Sequence, residues 1–249
     1  MAARLLLIED DASIARFVEL ALEELPRHDA AAPAVEFHRV RSLAEARTAL
    51  AAGGWQLVIS DLMLPDGSAE VLLTEGLALA AGAPPWVVFS AGVHDDHPLT
   101  LAAHGVARTL RKPVPLAELL DTVATLLRGA PAAPHVDITP EADPVARHFG
   151  GDRGLYERFR AGCIERFADD LAQGDAALAR GDAAALRRVA HGLKAVLELI
   201  GQPGLAAQAR ALENAAAGGV PGEAWTAGWA GLAQGLVDLG AKPDGAPAS

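Results

Sequence analysis

Length, composition and charge already exclude several classes of protein. The chain has 249 residues, a formal net charge of −11 and a single cysteine, Cys163, which excludes an intrachain disulfide and is typical of a reducing compartment. At about 150 residues per domain, this length predicts one or two domains. The acidic balance disfavours direct nucleic-acid binding, because a duplex-binding surface needs clustered lysines and arginines to meet phosphates.

The early part of the chain carries one short apolar run, residues 5–8, which ends at three consecutive acidic residues. Four residues are far too few for a secretion signal or a membrane span. We therefore expect a cytoplasmic protein that makes no contact with a membrane.

Short β-type runs alternate with helical patterns up to residue 128. Strands are predicted at residues 4–8, 35–40, 57–60, 86–90 and, more weakly, 108–110. Helices are predicted at residues 12–25, from a capping box at 42–45, from about residue 68, in a short stretch ending near 104–105, and at 115–127. This alternation predicts an α/β doubly wound fold, with a five-stranded parallel sheet covered on both faces, over residues 1–128.

The pattern changes after residue 128. Residues 129–144 carry four prolines without any periodicity, and we interpret 129–143 as a linker. Residues 144–240 contain four amphipathic helical patterns separated by short Gly/Pro breaks, which predicts an all-α four-helix bundle. Residues 241–249 have the composition of a disordered tail.

Polar side chains follow four of the predicted strands. Glu9 and Asp10 follow the first strand, Asp61 the third, Ser90 ends the fourth and Lys112 follows the fifth. In open parallel sheets, ligands bind outside the carboxyl ends of the strands. Three converging carboxylates would repel one another unless a hard cation lay among them, so the expected ligand is Mg²⁺. Asp61 would then be a carboxylate nucleophile, with Lys112 and the Ser90 hydroxyl meeting an incoming phosphoryl group.

These residues and their surroundings resemble the receiver domain of bacterial response regulators, over residues 4 to 128. The segments that carry the resemblance are LLLIEDD, LVISDLMLPDG, VVFSAG and RKPV. The resemblance implies a flavodoxin-like fold in which Asp61 is the phosphoacceptor. It also implies that Asp10 and Asp61 bind Mg²⁺ directly and that Glu9 binds it through water. The main-chain carbonyl of Met63 would be a further ligand. Finally, the resemblance implies that the Lys112–Pro113 peptide bond is cis.

One position departs from that pattern, and one acidic residue lies outside it. The family usually has an aromatic residue three positions before the lysine, and here this residue is Thr109. Threonine cannot bury a ring on phosphorylation, so a large conformational readout on this face is not expected, whereas phosphoacceptance does not depend on the ring. Asp11 lies beyond the family's acidic pair, and we interpret it as a helix N-cap.

The informative segment of the second half is LRRVAHGLKA, residues 186–195. On a helix, His191 is displaced from the apolar stripe, and we expect it to be accessible to solvent. Arg187, Arg188 and Lys194 lie three or four positions away from it, which predicts a basic strip around the imidazole. Such a strip would meet a phosphoryl group with positive charge.

This half resembles the histidine phosphotransfer (HPt) domain, over residues 143 to 240. The resemblance is carried by GGDRGLYERFRAGCIERF, ARGDAAALRRVAHGLKAVLELIG and RALENA. It implies that His191 is the phosphorylated histidine, that Lys194 and Gly201 match the family's lysine and glycine, and that Glu213 orients the imidazole. The family commonly has Lys-Gly-Ser where this chain has Lys-Ala-Val, but alanine is small enough to leave docking intact.

Together the two resemblances predict a phosphorelay protein. Asp61 would accept a phosphoryl group from a sensor histidine kinase, and His191 would carry phosphoryl groups between the aspartates of partner receiver domains. The chain contains neither GxxxxGK[ST] nor GxGxxG, so we expect no ATP-dependent kinase activity.

Other interpretations of the same residues stay open. The HPt half could be a docking module without phosphotransfer, gated by phosphorylation of Asp61. A metal-dependent phosphohydrolase is a weaker alternative, because the second acidic residue that such enzymes need is replaced by Met63. We interpret the HDDH run at residues 94–97 as a solvated loop rather than a metal site.

Overall fold

The structure is a computed structural model that describes residues 2–90, 97–129 and 143–242, without the side chains of Ser90 and residues 97–99. The chain divides into two compact units. The first comprises Met1–Ala142 with Ala146–Gly151, and the second comprises Asp143–Val145 with Asp152–Ser249. Most of the predicted linker and tail, and residues 94–96 of the HDDH run, lie outside the described residues, and the domain boundaries given above stay predictions.

The first unit alternates strands and helices. Its strands are β1 (Ala3–Ile8), β2 (Val35–Val40), β3 (Leu57–Ser60), β4 (Met63–Leu64), β5 (Gly67–Ser68), β6 (Trp86–Ser90) and β7 (Val106–Arg111). Its helices are α1 (Ala12–His28), α2 (Leu43–Ala52), α3 (Glu70–Thr74), α4 (His97–Ala103) and α5 (Leu116–Leu127). The predicted bounds of β2, β3 and β6 are confirmed, and β1 and β7 extend one or two residues beyond their predicted ends.

Five strands form one sheet in the order β2-β1-β3-β6-β7, and each neighbouring pair is parallel. The prediction of a doubly wound parallel sheet is therefore confirmed. The central strands β1 and β3 are buried almost throughout because helices cover both faces of the sheet. The parallel arrangement brings the carboxyl ends of β1, β3, β6 and β7 to one edge, and the chain order reverses between β1 and β3.

The segment after β3 differs from the prediction. A helix was predicted from about residue 68, but the chain first forms the antiparallel pair β4–β5, and α3 spans only Glu70–Thr74. The turn between the two short strands contains Asp66, whose carboxylate accepts hydrogen bonds from the backbone of Leu43 and Ala44 at the start of α2. Gly76, at a φ of 79°, follows the helix and does not continue it.

Among the described residues of the second unit, the regular secondary structure consists of helices without any strand. Its helices are α6 (Pro144–Phe149), which begins in this unit, and α7 (Arg153–Arg180), α8 (Ala183–Leu199), α9 (Pro203–Ala217) and α10 (Glu223–Asp238). Helix α8 packs against α7 and α9, and α10 packs against α9 and α7, so the four long helices surround one core. The four-helix bundle is confirmed, and the short α6 was not predicted.

Local chemistry sets the ends of these helices. Asp152 caps α7 by accepting a hydrogen bond from the backbone of Leu155, and Asp182 caps α8 through the backbone of Ala185. Gly181 ends α7 in the left-handed region, at a φ of 63°. Among the described residues, no helix is long and apolar enough to cross a membrane.

Trp229 of α10 lies directly against Gly174 of α7. Both are buried, and the indole Nε1 donates a hydrogen bond of 2.7 Å to Asp175 Oδ1. A Cβ atom built on Gly174 would lie 2.0 Å from Cη2 of the indole. The absence of a side chain at residue 174 is therefore what allows α7 and α10 to pack at this point.

We expect Gly174→Ala to destabilise the second unit by about 1–3 kcal/mol, because the methyl group overpacks the core against Trp229. Urea unfolding followed by tryptophan fluorescence measures the effect. Gly204→Ala is the matched control, since nothing lies within 4 Å of a Cβ there. The control is expected to leave stability unchanged or raise it by up to about 1 kcal/mol. Equal unfolding midpoints for the two variants would contradict the packing described above.

Candidate functional site

An acidic cluster lies at the carboxyl edge of the sheet in the first unit. Glu9 and Asp10 follow β1 and Asp61 follows β3, as the strand-end argument predicted. One carboxylate oxygen from each of the three lies within 4.8 Å of the others. Glu9 and Asp61 are buried, at 0% and 3% exposed, while Asp10 is half-buried. The sheet thus brings together the three carboxylates singled out from the sequence.

Both oxygens of the Asp61 carboxylate accept hydrogen bonds. The backbone of Asp61 extends the sheet, because its N–H donates to the Ile8 carbonyl at 2.8 Å. Its Oδ1 accepts from the N–H groups of Leu62, at 2.5 Å, and Met63, at 3.1 Å. Its Oδ2 accepts from Lys112 Nζ at 2.7 Å. These hydrogen bonds satisfy the buried carboxylate and fix its position.

Lys112 supplies positive charge in the middle of this cluster. Its ammonium donates to Glu9 Oε2 at 2.5 Å as well as to Asp61, and the side chain is almost completely buried. The face of Phe89 lies 5.0 Å from the ammonium nitrogen. The peptide bond Lys112–Pro113 is cis, which confirms the prediction.

The charges in the cluster shift one another's protonation. Burial raises the pKa of Glu9, although attraction to Lys112 opposes the shift, and repulsion from Asp61 adds to it. Burial and repulsion from Asp61 likewise raise the pKa of Asp10. Burial alone would lower the pKa of Lys112, but attraction to Asp61 and Glu9 outweighs it and raises that pKa. The cluster contains three carboxylates and one ammonium group, so the acidic groups outnumber the basic one and a further cation could bind among them.

A magnesium ion fits this donor set. Hard divalent cations prefer oxygen ligands, and the three clustered carboxylates are the only group of three or more His, Cys, Asp or Glu side chains with metal-binding spacing in the described part of the chain. Burial, with repulsion from Asp61, raises the pKa values of Glu9 and Asp10. A divalent cation among the three carboxylates would favour their ionised forms. The carbonyl of Met63 stays a predicted ligand.

Other predictions around this site have different outcomes. Asp11 caps α1 by accepting from the backbone of Ser13 and Ile14, which confirms its interpretation as an N-cap. Thr109 is half-buried in β7. Ser90 ends β6, but its side chain lies outside the described residues, so its role stays a prediction.

Sequence reasoning missed Arg39. Its guanidinium, on β2, donates from Nε to the Glu9 carbonyl at 2.9 Å and from Nη2 to the Asp10 carbonyl at 2.7 Å. The sequence shows only a run of basic residues, His38, Arg39 and Arg41, at the end of a strand. Knowing that β2 pairs with β1 would have placed this end of the strand beside the acidic residues.

A second cluster lies between α8 and α9 in the second unit. His191 Nδ1 is 2.7 Å from Glu213 Oε1, and Lys194 Nζ donates to Glu213 Oε2 at 2.6 Å. His191 and Lys194 lie on one face of α8, three residues apart, and Glu213 reaches both of them from α9. The three residues proposed from the resemblance are therefore in direct contact.

The expectation that His191 is accessible to solvent was wrong. Its side chain is 12% exposed, and its Nε2 atom is buried without a hydrogen-bond partner among the described residues. Lys194 is buried as well, at 8% exposed, so it does not belong to an exposed basic strip. The physical reason is Glu213, whose carboxylate on the neighbouring helix binds both side chains between α8 and α9. Arg187 is exposed and Arg188 half-buried.

The protonation of this cluster follows from Glu213. Burial would raise the pKa of Glu213, but hydrogen bonds from His191 and Lys194 outweigh it and lower that pKa to about 2. An ionised carboxylate can only accept hydrogen bonds. Nδ1 of His191 must therefore carry a proton and donate it, and in the neutral ring Nε2 keeps its lone pair.

Gly201 follows α8 at a position where a side chain would not fit. Its φ of 75° is in the left-handed region, and a Cβ atom there would lie 2.6 Å from Cγ of Pro144. Tyr156 of α7 donates a hydrogen bond to the carbonyl of the preceding residue, Ile200, at 3.1 Å. These contacts fix the end of the helix that carries His191.

The fold and the two clusters define the class of protein. The five strands of the sheet, counted along the chain, follow the flavodoxin-like order 2-1-3-4-5, and the acidic cluster lies at the switch point between β1 and β3. Residues 158–239 match the family model described as "Hpt domain". The second unit therefore contains an Hpt domain.

Solved structures similar to the chain cover its N-terminal half. A signal receiver domain from Vibrio parahaemolyticus is 24% identical, with 52% of this chain and 92% of that chain covered and a TM-score of 0.46. A CheY-like receiver domain protein from Methanospirillum hungatei is 19% identical, with 52% and 96% covered and a TM-score of 0.45. The HemR receiver domain from Leptospira biflexa is 24% identical, with 54% and 99% covered and a TM-score of 0.44.

No protein among those with curated functions is significantly similar to the chain. The family match covers residues 158–239 of the second unit, and the first unit has a flavodoxin-like fold.

We expect Glu213→Ala to change the tautomer of His191. With the carboxylate removed, nothing holds the proton on Nδ1, and the neutral ring should shift towards the Nε2–H form. Nitrogen-15 NMR of the histidine rings, at a pH where the ring is neutral, measures the ratio of tautomers. Glu223→Ala, at an exposed carboxylate in the first turn of α10, is the control and should leave the ratio unchanged. A wild-type ring that is mainly Nε2–H would contradict the assignment.

Proposed function

We propose that the chain carries phosphoryl groups on two residues. Asp61 accepts a phosphoryl group from the phosphohistidine of a sensor histidine kinase, and His191 carries phosphoryl groups between receiver aspartates. The observation that carries the proposal is the position of Asp61: a buried carboxylate bound by Lys112 Nζ at 2.7 Å and clustered with Glu9 and Asp10. The proposal applies equally to transfer within one chain and between chains.

Magnesium is the cofactor of the first step in this proposal. Asp10 and Asp61 would hold it directly, Glu9 through water, and the main-chain carbonyl of Met63 would complete the protein's contribution. When bound, the ion supplies positive charge that offsets the negative charge of the phosphoryl oxygens.

Asp61 acts as the nucleophile. A lone pair of its carboxylate attacks the phosphorus of the partner's phosphohistidine in line with the bond to nitrogen. The phosphorus–oxygen bond forms as the phosphorus–nitrogen bond breaks, and the imidazole leaves with the bonding electron pair. The amide groups of Leu62 and Met63 keep the carboxylate oriented for this attack.

Lys112 and Ser90 stabilise the transferred group. In the structure Lys112 Nζ donates to both Glu9 and Asp61, so it is already within reach of the oxygen that would become bonded to phosphorus. As negative charge moves onto the phosphoryl oxygens, its ammonium would donate to one of them. The Ser90 hydroxyl would donate to another.

His191 carries the second step. Its Nε2 attacks the phosphorus of an aspartyl phosphate, the nitrogen–phosphorus bond forms, and the aspartate carboxylate leaves with the electron pair of the broken phosphorus–oxygen bond. The ring gains positive charge, which the ionised Glu213 at Nδ1 compensates. Lys194 holds Glu213 in place through its other oxygen. Since Nε2 is buried, transfer requires the ring or the groups around it to move and expose that nitrogen.

Replacing Asp61 tests the first half of the proposal. Incubated with Mg²⁺ and acetyl phosphate, a small acyl phosphate donor, the wild-type chain and His191→Gln should be phosphorylated on Asp61. Asp61→Asn should lose at least about 100-fold in the rate of labelling, because an amide cannot replace the nucleophilic carboxylate. Asp66→Asn is the matched control, since its exposed side chain only caps α2. Labelling of Asp61→Asn at the wild-type rate would contradict the proposal.

The burial of Nε2 favours a second function, in which the Hpt domain docks a partner without accepting a phosphoryl group. His191→Gln separates the two functions. The phosphotransfer proposal predicts that a phosphorylated receiver domain transfers its label to the wild-type chain and not to His191→Gln. Gel electrophoresis of the labelled proteins measures this transfer. Binding of the receiver without transfer to the wild-type chain would favour docking.

A further inference from the structure

The backbone at the end of β1 is hydrogen-bonded to both neighbouring strands, but the loop that follows Glu9 is not. The Glu9 N–H donates to the Val40 carbonyl of β2 at 2.9 Å, and on the other side the Ile8 carbonyl accepts from Asp61 N–H at 2.8 Å. After Glu9 the chain leaves the sheet to begin α1 at Ala12. The carbonyls of Glu9 and Asp10 therefore lie past the end of the strand ladder, where backbone acceptors need other donors.

Arg39 provides those donors. Its guanidinium binds the two consecutive carbonyls through different nitrogens, Nε at 2.9 Å to Glu9 and Nη2 at 2.7 Å to Asp10. Two bonds from one planar group to two adjacent peptide units fix both the position and the orientation of the loop, which a single bond would not. Burial lowers the pKa of Arg39, but a guanidinium stays charged at neutral pH regardless.

The Asp10 carboxylate depends on its backbone for its position. The Glu9 carboxylate is fixed by Lys112 and by the N–H of Asp11, which donates to Glu9 Oε1 at 3.1 Å. The Asp10 side chain makes no such hydrogen bond to another side chain among the described residues. Its place within 4.8 Å of Glu9 and Asp61 is thus set by the peptide that Arg39 holds.

We propose that Arg39 is a positioning residue for the divalent-cation site, which it preorganises by clamping the backbone carbonyls of Glu9 and Asp10. This inference rests on the proposed function, since it concerns the same magnesium site. The hydrogen bonds of Arg39 go to backbone carbonyls and not to the carboxylates that would hold the cation. Arg39 acts through the backbone, and residues that orient metal ligands in this way typically affect metal affinity by roughly 10-fold to 100-fold.

Charge and positioning make opposite predictions for this residue. If only its charge mattered, removing a positive charge from beside the acidic cluster would tighten Mg²⁺ binding. If the two hydrogen bonds matter, removing them weakens binding, even when the charge is kept. Lysine keeps the charge but cannot form the planar two-nitrogen contact.

Titration of the full chain with Mg²⁺ by isothermal titration calorimetry, without any phosphodonor, tests the proposal. We expect Arg39→Lys and Arg39→Gln each to weaken Mg²⁺ binding by roughly 10-fold or more. Arg41→Gln is the matched control, because it removes the same charge from an exposed residue two positions away. We expect the control to bind Mg²⁺ as tightly as the wild type or slightly more tightly.

Thermal unfolding of each variant without Mg²⁺ shows whether the protein is folded at the titration temperature. If Arg39→Gln is unfolded at that temperature, Arg39→Lys provides the test. Wild-type affinity in Arg39→Lys, or tighter binding in Arg39→Gln, would overturn the positioning role while leaving the proposed function intact. Failure of the wild-type chain to bind Mg²⁺ would instead overturn the magnesium site on which both depend.

Discussion

The arrangement of the first unit depends on one buried cation among carboxylates. Lys112 reaches Glu9 and Asp61 from the end of β7, and all three side chains are almost completely buried. Buried charges are costly unless they are paired and hydrogen-bonded. Attraction to the ammonium group offsets part of the cost of burying the Glu9 carboxylate, although burial still raises the pKa of Glu9 to about 8. The hydrogen-bonded ion pairs with Lys112 therefore explain how two carboxylates can be buried at the edge of the sheet.

The second unit also has a buried charged cluster, but there one carboxylate binds two nitrogen donors. There a single carboxylate, Glu213, lies between two nitrogen donors, His191 and Lys194, at 2.7 and 2.6 Å. In the first unit, one cation binds two carboxylates, which the proposed function assigns to a metal and a phosphoryl group. In the second, one carboxylate fixes the proton of an imidazole, whose other nitrogen is the proposed nucleophile. In each unit the side chain proposed to react is positioned by a partner of opposite charge on another element.

The sequence was most informative where local pattern decides the structure. The short β-type runs that became β2, β3 and β6 were bounded by turn residues, so their limits could be predicted. The acidic cluster could be predicted because parallel strands necessarily end at the same edge. The β4–β5 pair could not, because its strands are two residues long and carry no periodic signal.

Contacts between distant elements set the limits of the prediction. Helical spacing placed His191 on a solvent-facing surface, but it could not show that Glu213, 22 residues later, would draw the ring between two helices. The role of Arg39 depended on the pairing of β2 with β1, which the spacing of residues within a strand does not reveal. In both cases the missing information was which element packs beside which.

The most direct test of the account is to identify the phosphorylated atoms chemically. Phosphoramidate, a small donor with a phosphorus–nitrogen bond, is incubated with the wild-type chain and Mg²⁺, and the phosphorylated peptides are located by mass spectrometry. The account predicts two sites with different chemistry: an acyl phosphate on Asp61 that hydroxylamine cleaves, and an acid-labile phosphohistidine at residue 191. Label at neither residue, or label confined to other residues, would contradict the account.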